Sequence, residues 1–330
     1  MNKFEFAIPQ KLDDAFSFLK TKNAFVKAGG IDLLDLMKEG ITTPQRLVNI
    51  RDLEELKFIK PDNAGALRMG PTVTLAELAS HPVIQEKYRA LAQAAGEAAT
   101  PQVRNSATLA GNLCQRPHCW YFRSADFDCL RKGGDTCFAV DGENQYHAIF
   151  GNEDGCVIVH PSAVAVALSA LQASLKITNG KHTREISMDE FFVRPAQDIT
   201  KENNLQADEI ITEIILPPIT GGVKSFYFKQ KEKQAFDWPI ADVAAVLTVK
   251  QGTCRDARIV LGAAAPVPWR IQKAEEVLKN KTITVKLAKE AARAALNDAT
   301  PLSGNAYKVT VFKTMIYRTI CWAAEIDPFA

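Results

Sequence analysis

The sequence predicts an α+β protein, with two α/β units in series followed by antiparallel strands and then helices. Three observations carry this. The chain opens β-α-β, with the strand-like KFEFAI, Leu12, Ala15, Phe16 and Leu19 at helical spacing, and the short apolar AFVKA running into Gly29-Gly30. A polar stretch over residues 115–155 with no clear period interrupts the middle. From about residue 222, three strands in a row precede three helices. At 330 residues, 47% of them hydrophobic, the chain is long enough for two or three packed units.

The elements follow in order. Asp32 to Met37 reads as the first turns of a helix, and RLVNI as a short strand. Residues 55–78 read as alternating short strands, with turns at PDNAG and GP. Tyr88 to Ala99 is an alanine-rich helix halted before Pro101. After the polar stretch come a strand at CVIVHP and an apolar helix from Ser162 to Ala173. A hairpin of SLKIT and REISM around Asn179-Gly180 is next, then a strand, EIITEIILPP, closed by prolines. FYFKQK, ADVAAVLTVKQ and DARIVLGAAA form the antiparallel set, and helices are expected near 270–279, 285–296 and 305–325.

Forty basic and 38 acidic residues give a formal net charge of +2, too balanced for a nucleic-acid or anionic-membrane partner. The N-terminus lacks a secretory h-region, and no apolar run is long enough for membrane insertion. The expected location is cytoplasmic; the alternative is periplasmic, the chain being exported folded with a partner subunit.

Seven cysteines occur, at 114, 119, 129, 137, 156, 254 and 321. Five fall between 114 and 156, and without a secretory context such clustering points to a metal or cluster site rather than disulfides. Cys119, Cys129, Cys137 and Cys156 lack the close pairs that zinc ribbons favour, and four thiolates suit [4Fe–4S]. Ordering the loop costs roughly 1–2 kcal/mol per residue in backbone entropy, so something must hold it, and a cluster would. Cys114 reads as a buried small hydrophobe, and Cys254 and Cys321 as structural. His118 and His147 flank the cysteines as solvated side chains or neighbours of ligands.

Two glycine loops are candidate phosphate cradles. The first, Val26-Lys27-Ala28-Gly29-Gly30-Ile31-Asp32-Leu33-Leu34, lies between a strand and a helix. The second is Thr108-Leu109-Ala110-Gly111-Asn112. Either could be an ordinary turn, and the absence of G-x-G-x-x-G disfavours a Rossmann site.

The ordered motifs A-G-G-x-D-L-L and R-N-x-A-T-x-A-G-N resemble the FAD-binding subunits of the xanthine dehydrogenase (molybdenum hydroxylase) family. Phe228-Lys229-Gln230, Phe236-Asp237-Trp238-Pro239, Ala265 to Arg270 and Asn305-Ala306-Tyr307-Lys308 resemble its C-terminal flavoprotein domain. The resemblance implies a flavin domain of the p-cresol methylhydroxylase and vanillyl-alcohol oxidase type over residues 1–221. Its subdomains would be 1–54 and 55–221, with a cluster-binding loop at 115–156, and the C-terminal domain would span 222–330. Backbone N–H groups of residues 26–34 and 108–112 would wrap the FAD pyrophosphate. Ile211 would lie against the flavin ring, or else be plain strand core. Lys229 would stabilise a reduced, anionic flavin, or else be a solvated strand charge. Ile31 stands where the family often has Thr, and Ala163 where it usually has Asp, so two side-chain contacts to FAD are missing. Asp32 could turn its carboxylate away from the pyrophosphate to cap the helix.

The cysteine text further resembles one branch of the family, comprising aldehyde oxidoreductases and 4-hydroxybenzoyl-CoA reductases, whose inserted loop holds a [4Fe–4S] cluster on four cysteines. The resemblance implies an electron-transfer subunit with no substrate chemistry of its own. Its partners would be a molybdopterin-binding large subunit, a [2Fe–2S] small subunit and an external electron acceptor or donor. An aldehyde-oxidising enzyme is the reading preferred. An aryl-CoA reductase subunit, a self-contained flavoenzyme and a zinc-binding scaffold are the alternatives.

Overall fold

The computed structural model describes residues 1–233 and 235–329. Its first sheet is parallel and three-stranded, with β1 (Glu5–Ala7) and β2 (Ala24–Lys27) flanking β3 (Arg46–Asn49). The crossover helix Leu12–Leu19 buries Ala15, Phe16 and Leu19 against Val48 and Ile50. A second helix, Ile31–Lys38, starts directly after β2, with Gly30 at φ +79° as its N-cap. That left-handed turn, natural to glycine, aims the helix start outward over the following loops.

The second sheet is antiparallel, in the order β4 (Ile59–Pro61), β5 (Leu67–Met69), β8 (Ile210–Leu216), β6 (Ser174–Thr178), β7 (Thr183–Ser187). Helices Leu75–Ser80, Arg89–Glu97 and Ala163–Ala170 share its core. All eight residues of Ala163–Ala170 are buried, as befits a helix that is apolar on every side. It sits between this sheet and the third, because Ala244, Val260 and Val267 join the same core.

The third sheet is antiparallel, with β9 (Val223–Gln230), β10 (Ala241–Lys250) and β11 (Thr253–Gly262) as its long strands. A two-residue strand, β12 (Trp269–Arg270), extends the expected three. Helices Gln272–Leu278, Val285–Ala295 and Tyr307–Ala323 cover its far face. No helix among the described residues is long and apolar enough to cross a membrane.

Two expectations need correction. Leu75–Ser80 is a helix rather than part of a strand series, and Thr74 and Glu77 close a capping box around its start. Residues 156–161 belong to no sheet; they run extended, with Ala148 N–H donating to the Val157 carbonyl and His160 N–H to that of Ala265.

Residues 115–155 are ordered by contacts of several kinds. One-turn helices form at Trp120–Arg123 and Leu130–Lys132. Phe122 and Cys129 pack on Leu36, and Ile149 and Phe150 enter the C-terminal core. Contacts within the protein thus hold much of the loop, beside whatever a cluster would add.

Candidate flavin cleft and thiol centre

The β2–helix loop, the second glycine loop and the β9–β10 connection enclose a cleft of about 970 Å³. Val26, Lys27, Ala28, Gly29, Gly30, Ile31, Asp32 and Leu33 line it, with Thr108, Gly111, Asn112 and Lys229. Leu34 and Ala110 do not line it; Ala110 packs against the core. Among the described residues, the N–H groups of Gly29, Gly30, Ile31, Asp32 and Leu33 donate to no protein acceptor. Open donors at a helix start favour an anion.

The second loop differs from expectation. Leu109 N–H donates to the Val73 carbonyl, Ala110 to Pro71, Gly111 to the Thr108 hydroxyl and Asn112 to the Thr108 carbonyl. The amides of residues 109–112 are thus engaged by the protein, while the Thr108 N–H has no partner among the described residues. Asn112 Oδ1 accepts from the Ser162 hydroxyl at 2.6 Å, while its NH₂ group has no partner among the described residues. The two loops touch at Gly29, where an added Cβ would lie 2.2 Å from the Ser106 carbonyl oxygen. Glycine is required there by loop contact, independently of any ligand.

Asp32 neither caps its helix nor stands as a bare charge. Its Oδ2 accepts from Arg116 N–H at 2.9 Å, and its Oδ1 pairs with Arg123 at 2.5 Å. The helix of the first glycine loop is thereby tied to the cysteine loop. Arg116 and Arg131 both pair with the largely buried Glu202 at 2.9 Å, a second tie that the sequence reading missed. None of these pairs is close in sequence, so no local pattern marks them.

Lys229 is buried at the cleft wall and donates to the Glu97 carbonyl at 2.9 Å. Burial lowers its pKa, and Asp242, its partner across the β9–β10 ladder, works in the opposite direction. Asp242 is itself raised to about 6 by burial, against a 2.9 Å hydrogen bond from the Tyr227 hydroxyl. The placement of Ile211 against a flavin ring is corrected: it pairs with Ile177 in the second sheet, packs in that core and does not line the cleft.

Cys119, Cys129, Cys137 and Cys156 line one small cavity of about 20 Å³, with Phe122, Leu130, Phe138 and Ile158 around them. All seven cysteines are free thiols. Proximity of the Cys137 and Cys156 thiols lowers the first one's pKa to about 6 and raises the second's. Burial raises Cys119 to about 11, opposed by the backbone N–H groups of Phe122 and Tyr121 beside its sulfur. N–H groups of Val157 and Ala139 serve Cys137, and those of Ile158 and Arg131 serve Cys156. Such donors favour thiolate over thiol. Among the described residues, no three His, Cys, Asp or Glu side chains converge on a single-ion site. Cys114 lies apart, its thiol pushed up to about 12 by burial.

A third cavity, about 290 Å³, lies between these two sites. It shares His118, Pro161, Asp237, Trp238 and Pro239 with the cleft, and Cys119 and His147 with the thiol cavity. His118 stacks on Trp238 with ring centroids 3.7 Å apart. Burial lowers the pKa of His118 to about 3, so the ring is neutral, and its Nε2 lies 3.3 Å from Gln115 Oε1. Phe236 and Trp238 had been noted only as a motif; both line the cleft from the β9–β10 connection.

Residues 2–219 match the family described as the FAD binding domain in molybdopterin dehydrogenase, and residues 226–323 match the CO dehydrogenase flavoprotein C-terminal domain. The chain belongs to this family of FAD-binding subunits. It is 36% identical over 266 residues to the aldehyde oxidoreductase FAD-binding subunit PaoB of Escherichia coli, covering 80% of this chain and 82% of that one. It is 28% identical to the carbon monoxide dehydrogenase medium chain of Hydrogenophaga pseudoflava, over 97% and 98% of the two chains. The solved carbon monoxide dehydrogenase of that organism superposes with a TM-score of 0.76 at 26% identity, covering 98% of each chain.

An FAD-binding subunit needs a groove for a dinucleotide and donors for its diphosphate. The cleft is at the upper end of the usual range of ligand sites, about 300–1,000 Å³, and the five open amides stand on its wall. Ile31 and Ala163 both line it and bring neither a hydroxyl nor a carboxylate to the wall.

Proposed function

We propose that this FAD-binding subunit also holds a [4Fe–4S] cluster and relays electrons within a molybdenum-dependent, aldehyde-oxidising enzyme. Gly29 to Leu33 would hold the FAD diphosphate through their open N–H groups, with Val26, Lys27 and Ala28 forming the adjoining wall. Thr108 and Asn112 would add side-chain contacts, and Gly111 leaves room between them. Lys229 would place a cation beside the flavin. Cys119, Cys129, Cys137 and Cys156 would ligate the cluster, which requires the sulfurs to spread from the small cavity they now line. Bound FAD exchanges one or two electrons and the cluster one at a time, which would couple two-electron chemistry on a partner to one-electron carriers.

The observation that carries this reading is adjacency. Cys119 lines both the thiol cavity and the aromatic chamber that opens into the flavin cleft. The chain's own residues orient the two centres and supply donors to the sulfurs. The want of a preformed single-ion site disfavours zinc, whose four ligands would close on one point at about 2.3 Å. The aldehyde assignment rests on likeness to PaoB. A molybdopterin-binding large subunit, a [2Fe–2S] small subunit and an external electron acceptor are the partners this role needs. The domain division is proposed at residues 221/222, between β8 and β9.

Cofactor content of the anaerobically purified chain tests the proposal. One FAD with about four irons and four sulfides per chain is expected. Flavin without iron would reduce the chain to an FAD subunit alone, and zinc in place of iron would refute the cluster. Aldehyde turnover by the isolated chain would refute the division of labour.

A further inference from the structure

The sulfurs of Cys119, Cys137 and Cys156 lie close to backbone or side-chain donors, but one contact stands out. His147 Nε2 is 3.3 Å from the Cys119 sulfur, and the imidazole is buried. Its other nitrogen, Nδ1, is buried with no partner among the described residues. A neutral imidazole carries one N–H. On Nδ1 it would be a buried donor without an acceptor, while a bare Nε2 lone pair would face a thiolate. On Nε2 the same proton makes the hydrogen bond that this geometry offers.

The ring is held from its backbone. His147 N–H donates to the Asn144 carbonyl at 3.0 Å. Its carbonyl accepts from Asn305 Nδ2 at 3.1 Å and from Lys308 Nζ at 2.9 Å. Lys308 is fully buried and also donates to the Tyr146 and Ala263 carbonyls. Burial lowers its pKa to about 7, yet three carbonyl acceptors require the three donors of its charged form. Asn305 is also fully buried and donates a second bond, to the Ala148 carbonyl. The C-terminal motif Asn305-Ala306-Tyr307-Lys308 thus fixes the segment that carries His147.

We propose that His147 is a positioning residue for the cluster: its Nε2–H donates to the Cys119 thiolate and raises the reduction potential, in a pose set by Asn305 and Lys308. The inference rests on the [4Fe–4S] reading above. Negative charge on a ligating sulfur grows when a cluster gains an electron, so a donor there favours the reduced state. Arg131, buried beside Cys156 and paired with Glu202, acts in the same direction on the opposite ligand.

The test is an EPR-monitored redox titration of the full chain carrying His147→Leu or His147→Gln. With iron retained, His147→Leu should lower the midpoint by about 59 mV, on the order of a tenfold change in the one-electron equilibrium. Glutamine, whose amide reaches the same sulfur, should recover most of the shift. An unchanged midpoint in the leucine variant overturns the proposal. If that variant loses iron, the unmodified protein decides: with ¹⁵N-histidine, pulsed EPR of the reduced cluster should resolve one weakly coupled histidine nitrogen. No such coupling overturns it. Absence of iron from the unmodified chain would refute the cluster reading itself, and this inference with it.

Discussion

Replacing Asp32 with Ala should loosen the cysteine loop while leaving the fold intact. The carboxylate is the point where the first glycine loop's helix meets residues 116–123. It loses a backbone hydrogen bond from Arg116 at 2.9 Å and a pair with Arg123 at 2.5 Å, whose side chains are 11% and 17% exposed. A lost hydrogen bond of this kind is worth about 1 kcal/mol. The ion pair falls between the surface case, about 0–1 kcal/mol, and the broken buried pair, about 3–5 kcal/mol. It belongs nearer the lower end, because Arg123 keeps Asp35 at 3.1 Å and the Pro117 carbonyl at 2.8 Å. The combined loss is about 2–3 kcal/mol, confined to the loop. Hydrogen exchange read by mass spectrometry should show residues 116–124 opening roughly 30- to 150-fold more often, at about 1.4 kcal/mol per decade. Asp32→Asn keeps an acceptor for Arg116 and should give about half the free-energy change. Asp35→Asn, a change at an exposed carboxylate, should do little. Unchanged exchange at 116–124 in Asp32→Ala, or an equal rise across the whole chain, would refute the coupling of the two loops.

Gly29→Ala should expel FAD while iron stays, because its Cβ would strike the Ser106 carbonyl at 2.2 Å and force the loops apart; undiminished flavin content would show that the diphosphate lies elsewhere. Cys129→Ser should lose the cluster and keep FAD, with residues 144–150 still protected from exchange by their bonds to Ala264, Thr300, Asn305 and Lys308; collapse of that segment would mean that the cluster alone orders the loop. Asp242 titrates at about 6, above its model-compound value of 3.8, so its protonated form is stabilising. That stability is complete below about pH 4 and is lost as pH rises through about 6, at most about 3 kcal/mol. Asp242→Asn should remove this part of the pH dependence in chemical denaturation of the chain, and an unaltered profile would place the buried charge elsewhere.

Much of the fold was legible because it is written in local periodicity. The β-α-β opening, the Asn179-Gly180 hairpin with Gly180 at φ +85°, and the three long C-terminal strands all fall near where pattern and turn chemistry place them. The helix at Leu75–Ser80 was missed although Thr74-x-x-Glu77 announces it, because the short apolar spacing on either side was read as strand alternation. Residues 156–161 look like a strand by composition, yet their bonds go singly to Ala148 and Ala265. At the site, the glycine loops were visible, but which of their amides stay open was not. That depends on the Pro71 and Val73 carbonyls, which reach the second loop from 35 or more residues earlier in the chain. For Ile211 the resemblance implied flavin contact and the strand itself plain core, and the packing of the second sheet puts it in the core. Convergence of four cysteines could be guessed from clustering. The Asp32, Glu202 and Lys308 contacts that hold them could not, since each joins segments far apart in sequence.

The most direct trial of a subunit that houses both centres is X-ray diffraction from crystals of the anaerobically purified chain, collected on either side of the iron absorption edge. One compact iron peak should appear amid the sulfurs of Cys119, Cys129, Cys137 and Cys156, with diphosphate density against the amides of Gly29 to Leu33. A cleft filled by FAD beside thiols with no iron signal would contradict the account.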